Sequence, residues 1–326
     1  MPARVVVGVD LGGSKILSGL SDLQGKVLAE VRLDTCPESG PEGVLHRIAG
    51  SVHELLQQAG LPRERLAGVA VGAPGPLNPV TGVVREAPNL GWRDFPLRDR
   101  LAALLQVPVW LDNDANLAAL GEQRVGLRDQ WPDLLYVTVG TGIGGGIIIN
   151  GDIYHGAAGG AAEFGHMTIV PEGGPGCGCG NHGCLESLAS GGAMEREARR
   201  RARDGQAEAL LQAAEGEPDN ITARLVAELA RQGDAPSLAI VRMAAYYLGI
   251  GLGNLVNLFN PAVIVLGGGI TAGMGDLLLP GAEAEMRRRA MCTLAGDVIL
   301  RASVLGARAG LVGSLVLARR RVNGGR

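Results

Sequence analysis

Leu134-Leu-Tyr-Val-Thr-Val-Gly-Thr-Gly-Ile-Gly-Gly-Gly-Ile-Ile-Ile-Asn150 is an apolar run, a glycine turn and a second apolar run. Its centre, Gly140-Thr-Gly-Ile-Gly-Gly145, formally matches the dinucleotide fingerprint G-x-G-x-x-G. That fingerprint must open a helix, because the pyrophosphate rests on the helix N-terminus. Here the chain continues as Gly146-Ile-Ile-Ile-Asn-Gly151, which reads as a returning strand and another turn. The pattern therefore speaks against a Rossmann oxidoreductase. A P-loop is excluded, since no G-x-x-x-x-G-K-[ST] occurs. A glycine hairpin still suits phosphate: successive unhindered N–H groups form an anion-binding concavity, and the Thr141 hydroxyl adds a donor.

The same unit stands at the start of the chain. Residues 5–9 read as a strand ending at Asp10, Leu11-Gly-Gly-Ser14 as a turn, 15–20 as the returning strand and 27–33 as a third. A third glycine turn, Gly267-Gly268-Gly269, follows a strand at 263–266. One such turn need only close a hairpin. Three, each behind a buried strand, point to a nucleotide site, and Asp10 is placed to hold Mg²⁺ through water.

Between these turns the periodicity predicts helices at 41–59, 98–106, 114–125, 185–203, 237–258 and 307–319, with Asn113 as an N-cap. Further strands are expected at 66–71, 109–111 and 298–302. Residues 72–79 read as a Gly/Pro loop and 204–219 as a polar surface excursion. Alternating strands and helices make the class α/β, with a weak internal repeat of strand, glycine turn, strand.

The 326 residues suffice for two domains. With 46% apolar and 19% charged residues the chain is globular rather than disordered. A net charge of −3 gives no electrostatic footprint for nucleic acid. The sequence shows no basic, apolar leader and no apolar run expected to span a bilayer, so the expected location is the cytoplasm with no membrane partner.

Three of the five cysteines, Cys177, Cys179 and Cys184, form C-x-C-x₄-C, and His166 lies eleven residues ahead. One imidazole and three thiolates complete a tetrahedral Zn²⁺ site with no open position, hence a structural rather than catalytic metal. The alternative, free thiols in a loop, would leave an exposed oxidation liability.

Five segments occur in order: Val9-Asp-Leu-Gly-Gly-Ser-Lys15, Leu111-Asp-Asn-Asp-Ala-Asn116, Thr138-Val-Gly-Thr-Gly-Ile-Gly-Gly-Gly146, Glu163-Phe-Gly-His166 and Cys177-Gly-Cys-Gly-Asn-His-Gly-Cys-Leu-Glu186. Together they resemble the ROK family of repressors, open-reading-frame proteins and sugar kinases, in particular its glucokinases, over essentially the whole chain. The resemblance implies an actin-like ATPase (ribonuclease H-like) fold, two α/β domains around a cleft. A small domain, 1–113, would be completed by the C-terminal helix at 306–326. A large domain, 114–305, would carry a zinc loop at 163–186. It also implies ATP-dependent phosphorylation of the glucose 6-hydroxyl, with ATP, Mg²⁺ and structural Zn²⁺, in a homo-oligomer (dimer or tetramer).

Carried over position by position, Asp114 is the implied catalytic base. Gly75, Asn89, Asn113, Asp114, Glu163, His166 and Glu186 line the implied sugar site. Asp10, Gly12, Gly13, Ser14, Lys15, Thr141, Gly142, Gly267, Gly268 and Gly269 fall in the implied nucleotide motifs. His166, Cys177, Cys179 and Cys184 are the metal set. Ser14 stands where the family more often has Thr, which keeps the hydroxyl. The alternatives are a kinase of the same family for N-acetylmannosamine or N-acetylglucosamine and, from another class, a sugar-responsive repressor. The latter is disfavoured because Asp10 leaves no room ahead of it for a DNA-binding segment.

Overall fold

The computed structural model describes residues 4–325. The chain forms two compact units. The first holds the residues up to Pro132, then Gly146–Ala161, then those from Arg308 onward; the second holds Asp133–Gly145 and Ala162–Ala307.

In the first unit, β1 (Val5–Leu11), β2 (Lys15–Asp22) and β3 (Val27–Asp34) form an antiparallel meander. After α1 (Gly40–Gln58), strand β4 (Leu66–Ala73) pairs parallel with β1. Next come β5 (Leu77–Asn78), β6 (Val83–Ala87), β7 (Trp92–Phe95), α2 (Leu97–Leu105) and β8 (Val109–Asn113). Helix α3 (Asp114–Gly121) runs on through a π turn at Glu122–Gly126. The main sheet has the order β3-β2-β1-β4-β8, and β5-β6-β7 form a small sheet of their own.

Strand β1 is apolar on both faces, as a parallel strand covered on both sides requires. Val7 and Val9 join a core with Ile48, Val52 and Leu55 of α1. The alternate residue, Gly8, lies against the C-terminal helix, which therefore covers the opposite face.

The second sheet has the order β11-β10-β9-β12-β13, from β9 (Leu134–Val139), β10 (Ile143–Ile149), β11 (Asp152–Ile153), β12 (Val263–Gly267) and β13 (Ile299–Ala302). The division between the units falls within β10, after Gly145. The helices of the second unit are α4 (Leu185–Ala189), α5 (Gly191–Arg203), α6 (Glu208–Ala213), α7 (Ala223–Arg231), α8 (Ala235–Phe259), α9 (Gly268–Arg289) and α10 (Cys292–Ala295). Helix α11 (Ala309–Val322) returns to the first unit.

Several local expectations are corrected. Residues 72–79 are not wholly loop, since Leu77–Asn78 opens the small sheet. The helix expected at 185–203 breaks at Ser190, whose extended backbone and hydroxyl cap α5 through Ala193 N–H. The polar excursion at 204–219 contains α6. Gly267–Gly269 is a strand-to-helix junction rather than a hairpin turn. Helix α8, with 25 residues, is long and apolar enough to cross a membrane by length and composition. It packs instead against α4, α7 and α9 inside the second unit, so its apolar surface serves a protein core. The anticipated domain boundary after residue 113 lies inside the first unit, because α3 packs along α11.

Candidate active site

In the first unit three strands end side by side. Asp10 of β1 pairs with Gly72 of β4, which pairs with Asp112 of β8. Groups at the carboxyl ends of adjacent parallel strands are where open α/β sheets place ligands. Beyond β1, Gly12 N–H donates to Lys15 O at 2.9 Å and closes the turn. Thr35 braces it, donating from its hydroxyl to Gly12 O at 2.7 Å and from its N–H to Ser14 O at 3.0 Å. Burial pushes the Asp10 carboxyl up to about 6, with the Lys15 charge opposing. A divalent cation would reverse that shift, as bound cations favour the ionised acid.

Asn113 caps α3: its Oδ1 accepts from Ala115 N–H at 2.9 Å and Asn116 N–H at 3.2 Å. Its Nδ2 points to Gly75 O at 3.5 Å. Gly75 has a φ of +86°, and a Cβ there would collide with the Glu86 carbonyl, so the close turn demands glycine. Asp114 is the first residue of α3, at the positive end of the helix dipole. A Cβ on Gly13 would lie 3.1 Å from the Asn89 side chain, which places Asn89 beside the first glycine turn. Gly12, Gly13, Ser14, Lys15, Asn89, Gly75, Asn113 and Asp114 thus cluster in the first unit around the ends of β1, β4 and β8.

The second unit gathers the others. Gly140 N–H donates to Gly142 O at 2.9 Å, and the turn is tied to the start of α5 by Gly191 N–H to Gly140 O at 2.8 Å and Gly192 N–H to Thr141 O at 3.1 Å. Thr138 of β9 pairs with Gly267 of β12, so Thr141 and Gly142 lie on the same sheet end as Gly268 and Gly269 at the N-terminus of α9. Glu186, in the first turn of α4, accepts Ile143 N–H on Oε2 at 2.9 Å, while its Oε1 lies 3.8 Å from Cys177 Sγ. Burial raises the Glu163 carboxyl above its ordinary value; His166 opposes this and Glu186 adds to it.

The metal set converges. The donor atoms of His166, Cys177, Cys179 and Cys184 all lie within 4.8 Å of one another. Cys179 Sγ and Cys184 Sγ are 3.8 Å apart, and Cys177 Sγ is 3.6 Å from His166 Nδ1. A tetrahedral zinc ion with ordinary bond lengths sets S···S at about 3.8 Å and N···S at about 3.6 Å. These two spacings suit Zn²⁺, and the four residues form a candidate metal site. Burial and the neighbouring thiols push Cys184 up to about 12, an environment that a dication relieves. Short backbone bonds hold the knuckle, with Cys177 N–H to Asn181 O at 2.8 Å and Gly180 N–H to Cys177 O at 3.0 Å. The other nitrogen of His166, Nε2, faces Glu163 Oε2 at 3.9 Å, beyond direct hydrogen-bond distance.

Two residues outside the expected set join Asn113 and Asp114. Asp112, almost fully buried, bonds His155 through Oδ2 and Nε2 at 2.7 Å. Asp112 lies within a quoted motif, but nothing in the sequence linked it to a histidine 43 residues away.

The sequence profile of the ROK family matches residues 6–321. The chain is 38% identical over 323 residues to a glucokinase of Halalkalibacterium halodurans, covering 99% of this chain and 97% of that one. A solved ROK family glucokinase from Streptomyces griseus, in complex with glucose and AMPPNP, is 38% identical with a TM-score of 0.83, covering 97% of this chain and 99% of the other. A solved ROK hexokinase from Thermus thermophilus is 37% identical with a TM-score of 0.81, covering 99% and 100%. With a profile match from residue 6 to residue 321 and relatives this similar along their whole length, the chain belongs to the ROK family.

Proposed function

We propose that this chain is an ATP-dependent glucokinase, transferring the terminal phosphoryl group of ATP to the 6-hydroxyl of glucose. The observation that carries the reading is the full-length similarity to the Streptomyces griseus enzyme solved with glucose and an ATP analogue, in a chain that keeps an acid at the start of α3 and glycine turns at the strand ends. Phosphoryl transfer asks for positioning, charge neutralisation and an acceptor for the hydroxyl proton, and little covalent chemistry from the protein.

Asp114 takes the proton of the attacking hydroxyl. Asn113, Gly75 and Asn89 in the first unit, and Glu163, His166 and Glu186 in the second, are assigned to the sugar. Gly12, Gly13, Ser14, Lys15, Thr141, Gly142 and Gly267–Gly269 are assigned to ATP, whose phosphates suit the exposed N–H groups of the turns and the N-terminus of α9. Mg²⁺ would be held near Asp10, where it supplies charge neutralisation. Zn²⁺ would be held by His166, Cys177, Cys179 and Cys184 in a structural role, since four protein ligands leave no position for water. The demand for ATP places the reaction in the cytoplasm, at the entry of glucose into glycolysis, and the working form is a homo-oligomer.

A coupled ADP-release assay with MgATP over glucose, mannose, N-acetylglucosamine and N-acetylmannosamine tests this. Glucose should give the highest kcat/KM. A site whose acids bond the 2-hydroxyl leaves them poorly paired against an acetamide, and sites built to bond a hydroxyl discriminate well against analogues that lack it. An acetylated sugar that outperforms glucose would move the chain to the hexosamine kinases of its family; no ADP release with any hexose would refute the kinase reading.

A further inference from the structure

Asp112 is a carboxylate with 3% of its surface exposed, at the junction between β8 and α3. Its Oδ1 accepts the backbone N–H of Asn113 at 2.8 Å and Asn116 Nδ2 at 3.1 Å. Its Oδ2 is bonded to His155 Nε2. A buried carboxylate is costly unless each oxygen is paired, and His155 supplies the partner recorded for Oδ2. With a carboxylate facing it, Nε2 donates in both the neutral and the protonated ring. The Asp112 hydrogen bond holds the imidazole above its ordinary range, against partial burial and the charge of Arg321 on α11.

The backbone of Asn113 is what Asp112 fixes, and Asn113 is the N-cap that sets the first turn of α3. Asp114 is the next residue. The segment that delivers His155 is itself anchored. Arg124 Nη2 donates to Gly151 O at 2.6 Å, Arg320 pairs with Asp152 at 2.5 Å, and Ala161 N–H closes a turn onto His155 O at 3.1 Å.

We infer that His155 is a positioning residue for phosphoryl transfer: by holding Asp112 it locks the Asn113 cap and so the carboxylate of Asp114. The inference deepens the kinase reading above and rests on it. Without the Nε2–H donor, the freed oxygen of Asp112 takes up a proton or turns toward another donor, and the Asn113 N–H bond loosens with it. The effect falls on the reacting carboxylate and not on nucleotide affinity.

Gln and Met have similar length, and only Gln carries an N–H where His155 has Nε2. The test compares the His155→Gln and His155→Met proteins with wild type, measuring kcat, KM for MgATP and thermal midpoint. The hexose is whichever of the panel the wild type turns over fastest. Failure of the glucose reading then shows in the wild type alone, and failure of this inference shows in the ratios of variant to wild type. We expect His155→Met to fold, to lose about tenfold or more in kcat and to keep its KM for MgATP within twofold, and His155→Gln to stay within about threefold of wild-type kcat. Equal kcat in the two variants overturns the inference, as does a tenfold loss in a folded His155→Gln protein. A His155→Met protein that fails to fold overturns it too, because the contact would then serve stability alone.

Discussion

Glu186 Oε2 accepts the backbone N–H of Ile143 at 2.9 Å, and this bond joins the first turn of α4 to the strand leaving the second glycine turn. It is possible because Gly142 has no side chain: a Cβ there would collide with the same Oε2. Gly142→Ala should therefore expel the carboxylate while leaving the core untouched. A hydrogen bond to a charged group contributes about 1.5–3 kcal/mol, so kcat/KM for glucose should fall roughly 10- to 100-fold, with the thermal midpoint nearly unchanged. Steady-state kinetics beside a thermal melt checks this, and unchanged kcat/KM would separate the bond from function.

Asp114→Asn preserves the shape and the helix start but removes the proton acceptor. The expected result is a folded protein that binds glucose and whose kcat falls by ~10²–10⁴-fold, the usual contribution of a general base. Titration calorimetry with glucose and the coupled assay measure the two quantities separately. Near wild-type kcat would assign the base elsewhere.

Protein purified without chelator should carry one zinc per chain by elemental analysis. Cys184→Ser should lose the metal and lower the thermal midpoint by more than about 5 °C, since metal binding is part of folding free energy. Glucose affinity should fall with it, because His166 and Glu186 both touch the cluster at Cys177. A metal-free protein with full activity would refute the assignment.

Asp10 makes folding pH-dependent in a defined direction. Its carboxyl is held at about 6 against an ordinary 3.8, so the folded chain binds the proton more tightly than the unfolded one. The group costs nothing below its unfolded value, opposes folding increasingly as pH rises from about 4 to about 6, and is a constant penalty above that. Asp10→Asn removes the penalty. Without nucleotide and with chelator, the variant should melt about 2–5 °C higher than wild type at pH 7.5, and the gap should shrink at pH 5. Activity with MgATP should fall at the same time. A gap that widens on acidification would contradict the shift.

The two meanders were legible because valine-rich runs behind glycine turns have few other readings, and Asn113 announced the start of α3. Helix α9 was not legible. Gly268, Gly269, Gly273, Gly275 and Pro280 all disfavour a helix locally, and Met274 kinks it. The helix stands because α8 packs along it, a tertiary effect that overrides propensity. Strands β5 to β7 were hidden by their length of two to five residues. At the site, motif residues could be named because each motif is contiguous. The pairing of Asp112 with His155 depends on where the chain returns after β11, and no local pattern records that.

Helix α11 completes the face of β1 on which Gly8 lies beneath Leu315, and the Ser314 hydroxyl donates to Val9 O at 2.9 Å. Strand β1 thus waits for a helix whose contact to it, Ser314 to Val9, spans 305 residues of chain. At 5–20 residues per second the delay between them is on the order of 15–60 s. Throughout that interval the nascent chain exposes one apolar side of its leading sheet, while the segments that build the second unit are already emerging. The first unit can close only after the second has been synthesised, and it is during translation that a chaperone has most to protect.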